Sequence, residues 1–166
     1  FAVSKYDRDL GTITDATLNS YAFNLQGGFS VLPEIDMNLA GAIAVVTVND
    51  NADNAIYTAI KVQDANVTAS TGTDTFGLDG QLDIDYYHSN SAADGYDRLD
   101  WTNAFEGGVI WNPGANLPTP ANLDIDFTSD MHYRVAGTVS GDQNNGNTIL
   151  TAGDVNVTGT AEFAVR

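Results

Sequence analysis

The residues with most chemistry to offer are two histidines and a large surplus of carboxylates. Leu82-Asp83-Ile84-Asp85-Tyr86 matches Leu123-Asp124-Ile125-Asp126-Phe127. In a strand the apolar members of each five-residue unit face one way and the aspartates the other. If the two units were neighbouring strands, Asp83, Asp85, Asp124 and Asp126 would form a carboxylate cluster, which needs a cation. Two loops also resemble Ca²⁺ ligand sets: Asn49, Asn51 and Asp53 alternate in one, and Asp142 and Asn144 in the other. Alternating oxygen donors suit a hard cation. Asn and Asp are equally the ordinary residues of turns, and neither loop has the EF-hand spacing. Ca²⁺ is therefore the one cofactor the sequence suggests, beside the plainer reading of solvated turns.

Catalysis has little to work with. His88 and His132 lie far apart, each beside a tyrosine, and would share a metal only if their strands paired. The chain has no nucleophile elbow, phosphate loop or dinucleotide fingerprint. With 22 acidic side chains, a glycosidase-like pair at any spacing arises by chance. The expectation is a protein that is not an enzyme. A net charge of −16 also excludes nucleic acid as a partner, because phosphate binding needs a basic patch. Trp101 and Tyr96 lie in an aromatic-rich stretch beside Asp and Asn. They suit either a glycan platform or the core. Asn66-Val67-Thr68 and Asn156-Val157-Thr158 are glycosylation sequons.

The elements that must position these residues are strands. Asp outnumbers Glu nineteen to three, which favours turns over helices. Period-two alternation recurs along the chain. At the C-terminus Val155, Val157, Ala161, Phe163 and Val165 share one face. From Ile35 to Val48 one face is apolar throughout, while the other turns from polar to apolar. The second half of that strand therefore expects cover on both sides, from this domain or a neighbouring subunit. Further strands are predicted over 21–25, 29–32, 55–62, 67–70, 81–88, 99–105, 108–111, 123–127 and 131–139, with Gln26-Gly27-Gly28 and the Pro-containing 112–121 stretch as separators. The expected fold is all-β, one antiparallel β-sandwich or jelly-roll domain over residues 1–166. The longest apolar run, Leu39–Val48, is about half the ~20 residues of a membrane-spanning helix, so no membrane insertion is expected. Cysteine is absent, which removes thiolate chemistry.

The chain opens at Phe1 rather than Met, which fits a cleaved signal peptide and a secreted, cell-surface location. Phe1, Ala2 and Val3 form an apolar tag that cannot make a core alone. Residues 1–9 are thus a candidate donor strand for a neighbouring subunit. Gly146-Asn147-Thr148-Ile149-Leu150-Thr151-Ala152-Gly153-Asp154-Val155-Asn156-Val157 resembles a segment of the TasA/camelysin family. In that family the segment lies near the mature N-terminus; here it lies near the C-terminus. The resemblance implies a jelly-roll subunit of biofilm fibres or bundling pili that exchanges strands with its copies. The leading expectation is therefore an extracellular filament subunit whose partners are other copies of itself. The alternative is a Ca²⁺-dependent, glycan-binding adhesin module.

Overall fold

Among the described residues the alternation becomes nine strands, all paired antiparallel. The computed structural model describes residues 1–10, 13–32, 35–73, 76–105, 107–141, 146 and 148–166, with side chains for all of these except 8, 14, 29–32, 35–39, 69–73, 76–79, 85 and 150. The strands are β1 (Ala2–Leu10), β2 (Ile13–Leu32), β3 (Ile35–Asp50), β4 (Ala55–Thr73), β5 (Phe76–Ala92), β6 (Tyr133–Ser140), β7 (Thr148–Ala152), β8 (Val155–Thr158) and β9 (Thr160–Val165). They form one hydrogen-bonded path, β1-β2-β3-β4-β5-β6-β9. β7 pairs with the start of β5, and β8 pairs with β7. The chain is nearly all β, with antiparallel layers packed together, consistent with the expected sandwich class.

One predicted separator is absent, and two predicted strands merge, because partner strands hold the chain extended. Gln26, Gly27 and Gly28 continue β2, paired with Ala40, Leu39 and Asn38 of β3. The expected 55–62 and 67–70 strands are one strand, β4, interrupted at Asp64, whose φ is 51°. That interruption is part of a line of irregularities. The β3–β4 register shifts between Ala40 and Ala42, and the β5–β6 register shifts between Ile84 and Tyr86. Bulges of this kind bend a sheet and re-aim its side chains. Gly41 belongs to the line because a Cβ there would lie 2.8 Å from the Cα of Ala65.

The core lies on one face of the near half of the sheet. Leu18 and Ala22 of β2, Val46 and Val48 of β3, and Ala59 of β4 are fully buried there. Residues 93–132 build the layer above them. Predicted strands at 99–105, 108–111 and 123–127 are turns and extended segments instead, joined by one isolated antiparallel bridge, Trp111 to Ile125. Their apolar alternation was real, but it fills a core rather than pairing in a ladder. Trp101, Leu123, Ile125 and Phe127 descend onto the sheet, over small residues such as Ala22, Ala44 and Ala59 that leave room for them. Each large side chain buried this way contributes about 1.5–3 kcal/mol.

Polar contacts fix the layer's register. The Trp101 amide donates to the Phe127 carbonyl and the Asn90 amide to the His132 carbonyl, both at 2.8 Å. The Asn90 side chain, fully buried on β5, makes three bonds. Nδ2 donates to the carbonyls of Leu99 and Thr128 at 3.0 and 3.1 Å, and Oδ1 accepts from Trp101 Nε1 at 3.0 Å.

Candidate functional site

Most of the basic charge gathers at one end of this layer. On β4 the core-facing positions run Ala55, Tyr57, Ala59, Lys61, so the alternation carries a lysine under the cover. Lys61 is 7% exposed. Its Nζ donates to the Asp124 carbonyl at 2.8 Å and lies 3.7 Å from Asp126 Oδ1. Opposite Lys61 in the register stands His88 of β5, and opposite His88 stands Arg134 of β6. Arg134 Nε donates to His88 Nδ1 at 2.8 Å, and its guanidinium lies 5.0 Å above the Tyr86 ring. The His88 ring is flanked by Tyr86 and Phe127, at 5.1 and 5.0 Å.

These contacts determine the state of His88. An arginine always donates, so Nδ1 is an acceptor and the proton sits on Nε2. Burial, then the charges of Arg134 and Lys61, lower its pKa to about 4, against a small opposing effect of Asp126. His88 is therefore a neutral structural histidine at neutral pH. Its basic nitrogen is already taken, so it is not placed to act as a general base.

Beside this cluster lies an open cleft of about 370 Å³, lined by Asp126, Thr128, Asp130, His132, Arg134 and Arg166 among others. The Thr128 hydroxyl donates to Asp130 and holds its carboxyl below the usual carboxylate range. Both cationic and anionic side chains line the cleft.

The residues singled out from sequence are dispersed. Asp83 lies on β5, bonded by the amide nitrogens of Asn66 and Gln81, whereas Asp124 and Asp126 lie in the covering layer near Lys61. The two repeats are not neighbouring strands, so the four-aspartate cluster does not assemble; the side chain of Asp85 lies outside the described residues. Asn49, Asn51 and Asp53 belong to the β3–β4 hairpin, where the Asp50 carboxylate accepts from the amides of Ala52 and Asp53. That is a turn satisfying its own backbone. Asp142 and Asn144 lie outside the described residues. Among the described residues no group of three or more His, Cys, Asp or Glu is placed to hold a metal.

Trp101 is a core residue, 0% exposed and bonded to Asn90, so it offers no face to a sugar. Tyr96 is exposed, and its hydroxyl donates to the Asp53 carbonyl at 2.7 Å. The Asn66 side chain is half-buried and engaged with Asp83, while Asn156 is exposed on β8. Residues Ala2–Arg8 pair with β2 of their own chain, from Ala2↔Ala22 to Arg8↔Ala16. The last strand likewise pairs with β6, from Val135↔Val165 to Ser140↔Thr160.

What stands out instead are the sheet's two edges. Apart from Leu10 and the half-buried Ala2 and Ser4, the described side chains of β1 are exposed. In β9 only Phe163 is half-buried, its ring seated over the bare Cα of Gly137. Among the described residues each of these strands, like β8, has one neighbour. No known family, characterised protein or solved structure matches this chain. No helix among the described residues is long and apolar enough to cross a membrane.

Proposed function

We propose that the protein is a structural subunit of an extracellular filament, joined to its copies by β-strand addition at β1 and β9. The observation that carries this reading is the placement of these strands at opposite ends of one sheet, each with a free edge. A free edge presents a row of backbone donors and acceptors that another chain can pair with. Two different edges meeting head to tail make a heterologous contact, which grows into an open filament where its rotation does not close a ring. β1 is held mainly by its ladder with β2, so it can also exchange between copies at low cost. Charge on β1, at Lys5, Asp7 and Asp9, gives the contact register rather than bulk stickiness.

The test is deletion of residues 1–9 from a chain that assembles. Negative-stain microscopy of the intact chain is expected to show filaments. The shortened chain should form no filaments while keeping a folded β signature in the far ultraviolet. Filaments of normal width from the shortened chain would refute strand addition at β1, and a strictly monomeric intact chain would refute assembly.

A further inference from the structure

The covering layer leaves the other face of the sheet bare, and that face is organised. One cross-strand row runs Phe23, Ile43, Val62, Tyr87, Val135 and Val165, each opposite the next in the register. The adjoining row runs from Val3 through Val45 and Ile60 to Tyr133. These side chains are half-buried or exposed, in contrast to the buried set that alternates with them. A third row is Asn, Thr and Ser. From β2 to β6, over 17–25, 43–49, 56–62, 87–91 and 133–135, no outward-facing described residue carries a charge. In a chain with 28 charged side chains that is an exception requiring a reason.

The geometry points to this face as the seat of a second copy of the same chain, the two sheets packing face to face across a two-fold axis. Two features favour a copy. Chains of net charge −16 repel one another, and this face lets two of them meet without setting like charges in contact. Charge begins at its rim on β1, where Lys5 stands opposite Asn19 and the Asp7 carboxylate accepts from the Thr17 hydroxyl. The uncharged patch spans 31 residues, which at about 4.8 Å between strands and about 3.3 Å rise is roughly 500 Å²; a stable interface buries about 800 Å² per partner, so the pairing also takes in the polar rim. Finally, rows of Ile, Val and Tyr are self-complementary, and stacked sheets interdigitate such rows at about 10 Å. The pairing would supply the cover that the doubly apolar stretch of β3 demands. It does not depend on strand addition at β1 and β9.

Sedimentation equilibrium of the full chain tests it. The intact protein should be dimeric, or a dimer repeat within larger assemblies, and association should strengthen with added NaCl. Val45→Lys sets like charges against each other across the axis and should weaken association roughly 100-fold or more while keeping the β circular-dichroism signature. Because the chain has no cysteine, single cysteines give an independent reading that needs no destabilising change. Thr47→Cys, on the bare face, should crosslink under mild oxidation far faster than Ser129→Cys, in the covering layer. Equal crosslinking rates, or association unaffected by Val45→Lys, would overturn the proposal. So would a monomeric chain that binds phosphatidylcholine vesicles, which would assign the face to lipid. Filaments without face crosslinks would uphold edge assembly and overturn this pairing.

Discussion

Asn90→Ala is the sharpest test of how the covering layer is held. Asn90 is 0% exposed, and its side chain joins three separate parts of that layer: Leu99, Trp101 and Thr128. Alanine leaves the Trp101 indole N–H and the Leu99 carbonyl without this partner, while the Thr128 carbonyl keeps the Met131 amide. An unsatisfied buried polar group costs about 1–3 kcal/mol, so two of them cost about 2 kcal/mol or more. That is a large share of the ~5–15 kcal/mol by which a domain is stable. Asn90→Leu keeps the branching of the native side chain, is larger, and removes the same bonds. If hydrogen bonding is the cause, the two variants should match within about 1 kcal/mol, because the cavity contribution differs while the polar loss does not. Urea unfolding followed by tryptophan fluorescence measures the cost. Acrylamide quenching at zero urea reports whether Trp101 has become accessible. A loss below about 1 kcal/mol in both variants, with Trp101 still shielded, would refute the view that Asn90 pins the layer.

His88, with its pKa lowered to about 4, binds a proton in the unfolded chain near pH 6.5 that it refuses in the folded one. Stability should therefore fall as the pH drops from about 6.5 to about 4. The loss between pH 7 and pH 5 is about 2 kcal/mol relative to His88→Gln, read from paired urea titrations. Lys61→Met removes one of the charges that disfavour the imidazolium, so the His88 titration followed by NMR should move upward from about 4. Gly137→Ala would bring a Cβ to 2.1 Å from the Asp83 carbonyl oxygen and 3.0 Å from the Phe163 ring. It should cost about 1–3 kcal/mol and speed amide exchange in Thr160–Val165, whereas Gly27→Ala, with open space around the added methyl, should be near neutral by thermal unfolding.

Alternation revealed most clearly the strand with neighbours on both sides whose exposure follows its parity, β3 over 43–50; β2 and β4 each read as two shorter strands. Residues 99–127 misled because they are apolar for a different reason. Trp101, Leu123 and Ile125 alternate with polar neighbours as a strand's residues would, yet they pack onto a sheet without joining it. Period-two patterning reports which side chains are buried, not whether a partner backbone lies alongside. Gln26-Gly27-Gly28 misled in the opposite direction, since a flanking ladder overrides local turn preference. The polar cluster had a visible trace. Lys61 shares the parity of Ala55 and Ala59, and Asn90 shares that of His88, so polar residues stood in core register. Their partners could not be read, because Arg134 meets His88 only once β5 and β6 are paired. The aspartate cluster failed on the same point, since identical pentapeptides carry no information about adjacency.

The two modes of association act along different directions of one sheet. Strand pairing at β1 and β9 extends the sheet sideways and satisfies backbone hydrogen bonds. Face pairing joins two sheets through side chains and leaves both edges free. A filament that used edges alone would present a continuous apolar face along its whole length, and exposed patches of that size drive further association. A pair that used faces alone would leave four open edges. Each contact therefore leaves exposed what the other covers, and the absence of charge on the bare face makes the combination compatible with a net charge of −16 per copy. The order of assembly follows from concentration: the two-fold contact saturates, whereas the edge contact does not. In chains carrying Val45→Lys, edge growth should still occur but yield single-layered filaments, about 10 Å thinner through the sheet normal for the lost sheet-to-sheet spacing, plus the cover of the missing copy. Double-layered filaments from that variant would mean that the edges, not the face, hold the layers together.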